Sequence, residues 1–143
     1  MRLEFRRLDD AAAAPSQAHV ADAGWDLRAI EAVTIGPGER ASVGTGIAVA
    51  IPAGHAGLVL PRSGLSRDHG IGLVNSPGLI DAGYRGELRV LLINHDPASA
   101  FVVAAGDRIA QLLIVAHAPI DAVEVATLDE TDRSGGGFGS SGR

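Results

Sequence analysis

Cysteine is absent from this 143-residue chain, which excludes a disulfide framework, a thiolate nucleophile and any zinc or iron–sulfur site built on cysteine. Lysine is absent too: all 12 basic residues are arginine. A P-loop lysine, a Schiff base and a lysine general base are therefore excluded. Aromatic residues make up only 3% of the chain, so the core is expected to be aliphatic. A formal charge of -5 and the lack of any basic run argue against a nucleic-acid or membrane-surface partner, each of which needs a net basic face. No apolar run approaches the roughly 20 residues that span a bilayer. The first residues, Met1-Arg2-Leu3-Glu4-Phe5, lack the continuous apolar stretch of a leader. A soluble, cytoplasmic protein is the expectation.

What the chain does have is apolar residues (46%) punctuated by 19 glycines and 7 prolines, the composition of one folded domain rich in tight turns. Ile47, Val49 and Ile51 share one parity, as do Leu88, Val90 and Leu92, the period-2 pattern of strands. Further strand-like runs cover Leu3 to Leu8, Ala32 to Ile35, Gly57 to Leu60, Ala100 to Val103, Arg108 to Val115 and Ile120 to Val125. Turn clusters such as Gly36-Pro37-Gly38 and Ala105-Gly106-Asp107 divide them. Many short strands at this spacing predict an all-β sandwich, barrel or jelly roll. Helical options are limited to Ala11 to Ala14, stopped by Pro15, and Gly64 to His69, which Ser63 could cap. Three of the five aromatics, Trp25, Tyr84 and Phe138, stand in Gly-rich segments and are read as loop residues.

Four arginines neighbour Gly or turn residues: Arg62, Arg85, Arg108 and Arg133. Glycine lets backbone N–H groups approach an anionic oxygen and arginine adds a planar fork, which suits polyphosphate; for any single one, surface solvation or a local ion pair such as Arg108 with Asp107 is the better explanation. The stretch from Asn75 to Glu87 reads as a hairpin with polar groups along it, and Asp81 closes an apolar run within it. A carboxylate at a strand end can act as general base or hold metal-bound water, and Asp before Ala-Gly is also a common turn former. The five histidines are too scattered for a local metal-ligand spacing, and Gly-x-Ser-x-Gly is absent.

Taken together, five ordered segments resemble the motifs of the trimeric dUTP pyrophosphatase (dUTPase) family. They are Ala23-Gly24-Trp25-Asp26-Leu27-Arg28-Ala29, Pro61-Arg62-Ser63-Gly64-Leu65-Ser66, the stretch from Asn75 to Glu87 around Ile80-Asp81 and Tyr84-Arg85-Gly86, Gly106-Asp107-Arg108-Ile109-Ala110-Gln111, and the tail Arg133 to Gly142. Ser134 replaces a glycine frequent in the family, and Ser141 a threonine. The resemblance implies a jelly-roll-like β domain over residues 1–130 and a flexible arm over 131–143. It further implies a homotrimer with active sites at subunit interfaces, the arm closing over a neighbour's site. The implied reaction is hydrolysis of dUTP to dUMP and pyrophosphate, keeping uracil out of DNA and supplying dUMP for dTMP synthesis. Mg²⁺ is the implied cofactor, held mainly by the substrate's phosphates.

The same resemblance assigns roles. Asp81 activates the water that attacks the α-phosphorus, Gln111 helps to place that water, and Asp26 hydrogen-bonds the waters around Mg²⁺. Ser63 and Gly64 contact the α/β-phosphate region, while Arg62, Arg108 and Arg133 balance the triphosphate charge. Asn75 and the peptide groups of Gly78, Leu79 and Ile80 match the edge of uracil. Tyr84 packs on the deoxyribose and excludes a 2′-hydroxyl, and Phe138 stacks over the base with Gly139 and Ser140 beside it. Arg89 is also counted among the substrate-binding residues. Two other readings compete. A dCTP deaminase of the same fold needs a catalytic glutamate, and Leu91 stands at its position. A non-catalytic β-sandwich module would need none of Asp26, Ser63, Asp81, Gln111 and Phe138 in this arrangement.

Overall fold

Alternation of side chains across short strands builds the molecule. In Arg89–Asn94, Val90, Leu92 and Asn94 are buried while Arg89 and Leu91 face outward. The computed structural model describes residues 1–132 and 134–135. Among them, the elements are β1 (Glu4–Arg7), β2 (Trp25–Arg28), β3 (Val33–Ile35), β4 (Arg40–Gly44), β5 (Ile47–Ala50), β6 (His55–Leu60), α1 (Ser63–His69), β7 (Ile71–Leu73), β8 (Gly78–Ile80), β9 (Arg89–Asn94), β10 (Phe101–Val103) and β11 (Arg108–Ala116). The expected all-β, jelly-roll-like architecture is what forms. Every ladder is antiparallel: β2-β11-β6-β8 is a four-stranded sheet, β4-β9-β7 a three-stranded one, and β1-β5 and β10-β3 are pairs.

One aliphatic core lies among these sheets. The four-stranded sheet supplies Leu27, Val59, Ala110 and Leu112, the three-stranded one Val43, Ile71, Leu73, Val90 and Leu92, and the pairs add Ile35, Ile47, Val49 and Val103. Each fully buried Val, Leu or Ile contributes roughly 1.5–3 kcal/mol of transfer free energy. The buried Asn94 amide is satisfied at 3.0 Å to the Ile35 carbonyl and 2.8 Å to that of Ser99, stitching β9 to the β3–β10 pair.

Several expectations are corrected. Residues 120–125 form no strand: Ile120, Val123 and Val125 are exposed, and the segment pairs with no other described residue of the chain. Residues 11–14 form no helix, because Asp9 accepts the N–H of Ala11 on its side chain and that of Ala12 on its carbonyl, turning the chain before Pro15. Ser63 is the first residue of α1 and does not cap it; Arg62 takes the capping position with extended backbone and no side-chain bond. Trp25 opens β2 and packs on the core, where a loop was expected. The stretch 75–87 is not a self-paired hairpin, because its only strand, β8, pairs with β6. No helix among the described residues is long and apolar enough to cross a membrane.

Candidate active site

The register of β11 decides the first part of the site. Gln111 lies opposite Asp26 on β2 and opposite Leu60 on β6, so one strand position touches both flanking motifs. The Gln111 amide nitrogen donates to the Pro61 carbonyl at 3.0 Å, fixing the turn that carries Arg62, Ser63 and Gly64. Gly24 leaves the space for this rotamer: a Cβ there would sit 2.5 Å from Gln111 Oε1, and the amide would have to shift. The Asp26 N–H donates to the Ser16 carbonyl at 2.7 Å, which draws residues 16–24 over the end of the sheet as a wall.

Asp26 organises the charges. Arg62 Nε lies 3.3 Å from Asp26 Oδ1 and Arg108 Nη1 donates to Asp26 Oδ2 at 3.2 Å. Arg62 Nη1 also donates to the Arg108 carbonyl at 3.3 Å. The alternative ion pair of Arg108 with Asp107 does not form; the Asp107 carboxylate instead accepts the Ala104 N–H at 2.8 Å and closes its own turn. Asp26, Arg62, Ser63, Gly64, Arg108 and Gln111 therefore line one cleft of about 400 Å³. Its walls include Ala18, Asp22 and Ala23. Asp22, overlooked in the sequence, accepts the His19 N–H at 2.9 Å; its spacing of four from Asp26 in a small-residue turn was the available signal. No three His, Cys, Asp or Glu side chains come together as a metal cage among the described residues. The hard carboxylate oxygens of Asp22 and Asp26 suit a hydrated Mg²⁺ rather than a softer metal.

A second cleft, of about 280 Å³, gathers Asn75, Leu79, Ile80, Asp81, Tyr84, Glu87, Arg89 and Leu91. Here β8 is the outer strand of its sheet, so one edge of Gly78–Ile80 is spent on β6 and the other carries no ladder among the described residues. Gly78 admits Asn75, whose Nδ2 would lie 3.2 Å from a Cβ at that position. Asp81 follows β8 directly, exposed, with its carbonyl accepting the Tyr84 N–H at 3.0 Å. The Arg85 guanidinium closes this loop on the carbonyls of Ala82 and Tyr84 at 2.6 and 2.8 Å. Tyr84 lies over Gly86, where a Cβ would meet the phenol oxygen at 2.4 Å. Arg89, although it lines this cleft, engages Ser42 Oγ, the Ser42 carbonyl and Glu87 at 2.8 to 3.0 Å.

The two clefts share no lining residue, so the expected site residues fall into two separate groups within this chain. Arg133, Phe138, Gly139 and Ser140 lie outside the described residues. Another groove, of about 430 Å³ along β1 and β5, carries Arg85 but none of the predicted site residues.

The dUTPase family model matches residues 10–142. The chain is similar to the deoxyuridine 5'-triphosphate nucleotidohydrolase of Nocardia farcinica, with 55% identity over 98% of this chain and 85% of that one. It is also similar to that of Mycobacterium marinum, with 57% identity over 95% and 92%. Among solved structures, a mutant dUTPase of Staphylococcus bacteriophage 80alpha with dUpNHpp superposes with a TM-score of 0.93 at 30% identity, covering 99% of each chain. A mutant dUTPase of phage phi11 of S. aureus, described as revealing the coordination of a structural Mg(II) ion, superposes with a TM-score of 0.82 at 29% identity over 89% of this chain and 98% of that one. With the family model spanning nearly the whole chain and relatives above half identity, this chain belongs to the dUTPase family.

Proposed function

We propose that this chain is a dUTP diphosphatase that hydrolyses dUTP to dUMP and pyrophosphate in the cytoplasm, keeping uracil out of DNA and feeding dTMP synthesis. The observation that carries the reading is the gathering of Asp26, Arg62, Ser63, Gly64, Arg108 and Gln111 in one cleft, in a chain of this family. The Asp26 carboxylate holds two guanidinium groups at its mouth, ready for triphosphate oxygens. Ser63 and Gly64 meet the α/β-phosphate region, where no Gly64 Cβ narrows the approach. Asp26 would face an Mg²⁺ brought in with the triphosphate, and that ion would neutralise charge on the departing pyrophosphate.

In the second cleft, the outward edge of β8 offers peptide N–H and C=O groups that, with Asn75, match the donor between two acceptors of uracil. Tyr84 stacks on the deoxyribose and leaves no room for a 2′-hydroxyl. Asp81 takes a proton from the attacking water as its oxygen bonds to the α-phosphorus, and the α–β bridging P–O bond breaks to release pyrophosphate. Gln111 orients that water. Leu91, on the wall of the same cleft, offers no proton for a deamination, which argues against that chemistry.

One nucleotide triphosphate needs both halves, and a homotrimer supplies them from neighbouring subunits. Residues 1–130 form the β domain of each subunit, and 131–143 the arm, with Arg133 on the phosphates and Phe138, Gly139 and Ser140 over the base. Pyrophosphate release is to be measured with Mg²⁺ and dUTP, dCTP, dTTP or UTP, for the wild type and Asp81→Ala. Release from dUTP alone, lost in Asp81→Ala, is expected; silence on dUTP from a folded protein refutes the reading.

A further inference from the structure

Between the second cleft and the corner joining β4 to β5 runs a brace to which no catalytic step has been assigned. The Tyr84 hydroxyl donates to the Glu87 carbonyl at 2.9 Å. The carboxylate of that same residue is fixed on two sides: Oε1 accepts the Gly46 N–H at 2.9 Å, and Oε2 pairs with Arg89 Nη1 at 2.9 Å. Arg89 is anchored in turn on Ser42 of β4, through Nε to the hydroxyl at 3.0 Å and through Nη2 to the carbonyl at 2.8 Å. The backbone is shaped to seat this carboxylate. Gly46 turns with a φ of 65°, and a Cβ on Gly44 would stand 2.7 Å from Glu87 Oε1. Leu88, next along the chain, is fully buried and donates its N–H to the Ile47 carbonyl at 2.8 Å. Glu87 is thus the point at which a half-exposed wall residue, Tyr84, is tied to the buried core.

We infer that Glu87 is a positioning residue for sugar selection: its carboxylate, seated on Gly46 and Arg89, fixes the carbonyl that holds the Tyr84 hydroxyl and so sets how close the phenol stands to the 2′ position of the nucleotide. The inference rests on the proposed contact of Tyr84 with the deoxyribose. It gives Arg89 a role behind the wall, as the counter-ion of Glu87, in place of direct contact with substrate. A ring held at one end excludes a hydroxyl, whereas a ring free to swing accommodates it, so the brace acts on discrimination more than on turnover.

The test is steady-state kinetics with dUTP and UTP on the wild type, Glu87→Ala, Glu87→Asp, Glu87→Gln and Tyr84→Phe, with a thermal melt of each. Glu87→Ala is expected to keep kcat for dUTP within about twofold, raise KM, and lower the dUTP-over-UTP ratio of kcat/KM about fivefold, the effect of one lost neutral hydrogen bond on the wall. Glu87→Gln keeps an acceptor for Gly46 and restores most of the ratio. Added to Tyr84→Phe, Glu87→Ala leaves the ratio where Tyr84→Phe alone puts it. Should Glu87→Ala not melt cooperatively, Glu87→Asp, too short to reach both partners, carries the test with a smaller loss. A wild type that discriminates and a folded Glu87 variant with the same ratio overturn this inference alone; a wild type that hydrolyses dUTP and UTP equally overturns the Tyr84 reading with it.

Discussion

Gly24→Ala isolates one contact on which the cleft proposed to take the phosphates depends. Gly24 does not have the left-handed backbone that would itself demand glycine, so the substitution acts through space alone. The new Cβ would lie 2.5 Å from Gln111 Oε1 and 3.3 Å from Cδ, and its 3.4 Å to Gln111 Cβ is ordinary contact. The amide must therefore swing by about 1 Å or more, forfeiting the 3.0 Å bond from Nε2 to the Pro61 carbonyl. Loss of that half-buried bond costs about 1 kcal/mol, and the displaced rotamer about 1 more. For a domain of this size the sum of about 2 kcal/mol lowers Tm by roughly 6 °C. The effect on turnover is larger, about 100-fold in kcat, because both the water-placing amide and the Arg62 turn move.

A double-mutant cycle separates this account from general damage. In a Gln111→Ala background the clashing Oε1 and Cδ are gone, so Gly24→Ala should then cost close to nothing in stability, leaving a coupling of about 2 kcal/mol. The assays are thermal melts for the four proteins and pyrophosphate release from dUTP for the wild type and Gly24→Ala. Additive changes in Tm, or a Gly24→Ala protein with kcat within about twofold of wild type, refute the reasoning.

Asp81→Ala should lower kcat by about 1,000-fold while leaving Tm unchanged, since the side chain is exposed and makes no hydrogen bond or ion pair among the described residues; a melting shift without loss of turnover contradicts the general-base assignment. Mixing inactive Asp81→Ala with inactive Gln111→Ala subunits and letting them exchange should restore activity to about a quarter of the sites, because a neighbour supplies the second half; no recovery in verified mixed oligomers denies shared sites. The N–H groups of Ala98 and then Ser99 hold the Asp96 carboxyl below the usual carboxylate range. A depressed folded value contributes stability that is present above the unfolded pKa and lost as pH falls through the folded one, so Tm should decline on the acid side. In Asp96→Asn that decline should be shallower, with a lower Tm at neutral pH; an unchanged acid limb counts against the turn's contribution.

The strands read from alternation were those whose apolar residues meet the core: Leu88, Val90 and Leu92 are all essentially inaccessible, as are Ile47 and Val49. Three strands escaped because their sequences carry little alternation. In β2 only Leu27 is fully buried, β4 is polar at Arg40 and Ser42, and β7 has a central glycine. Their pairing with β11 and β9 creates them, a tertiary effect that local propensity does not contain. The opposite failure, residues 120–125, has the apolar pattern of a strand and pairs with no other described residue of the chain. A periodic pattern states that a segment would pair if an edge were offered; which edge is offered is a property of the tertiary structure, not of the segment.

The same division runs through the site. Arg62, Arg108 and Asp81 stood out locally, as forks beside turns and a carboxylate closing an apolar run, whereas Asp26, Ser63 and Gln111 were read only from the resemblance of their segments to the family motifs. The residues that make them work are silent in the sequence, because their reasons lie far along the chain. Gly24 is small for the sake of Gln111, Gly44 for the sake of Glu87, and Ser16 matters through a carbonyl that any residue could supply. The divided site follows from the same topology. Asp26 and Gln111 meet on β2 and β11, while Asp81 hangs from β8, which lies across β6 from β11. With β6 between them in the sheet, loosening a loop does not merge the two halves. In the proposed homotrimer a neighbouring copy would join them without disturbing either, so recovery of activity in mixed oligomers is the measurement that decides whether the two clefts serve one nucleotide.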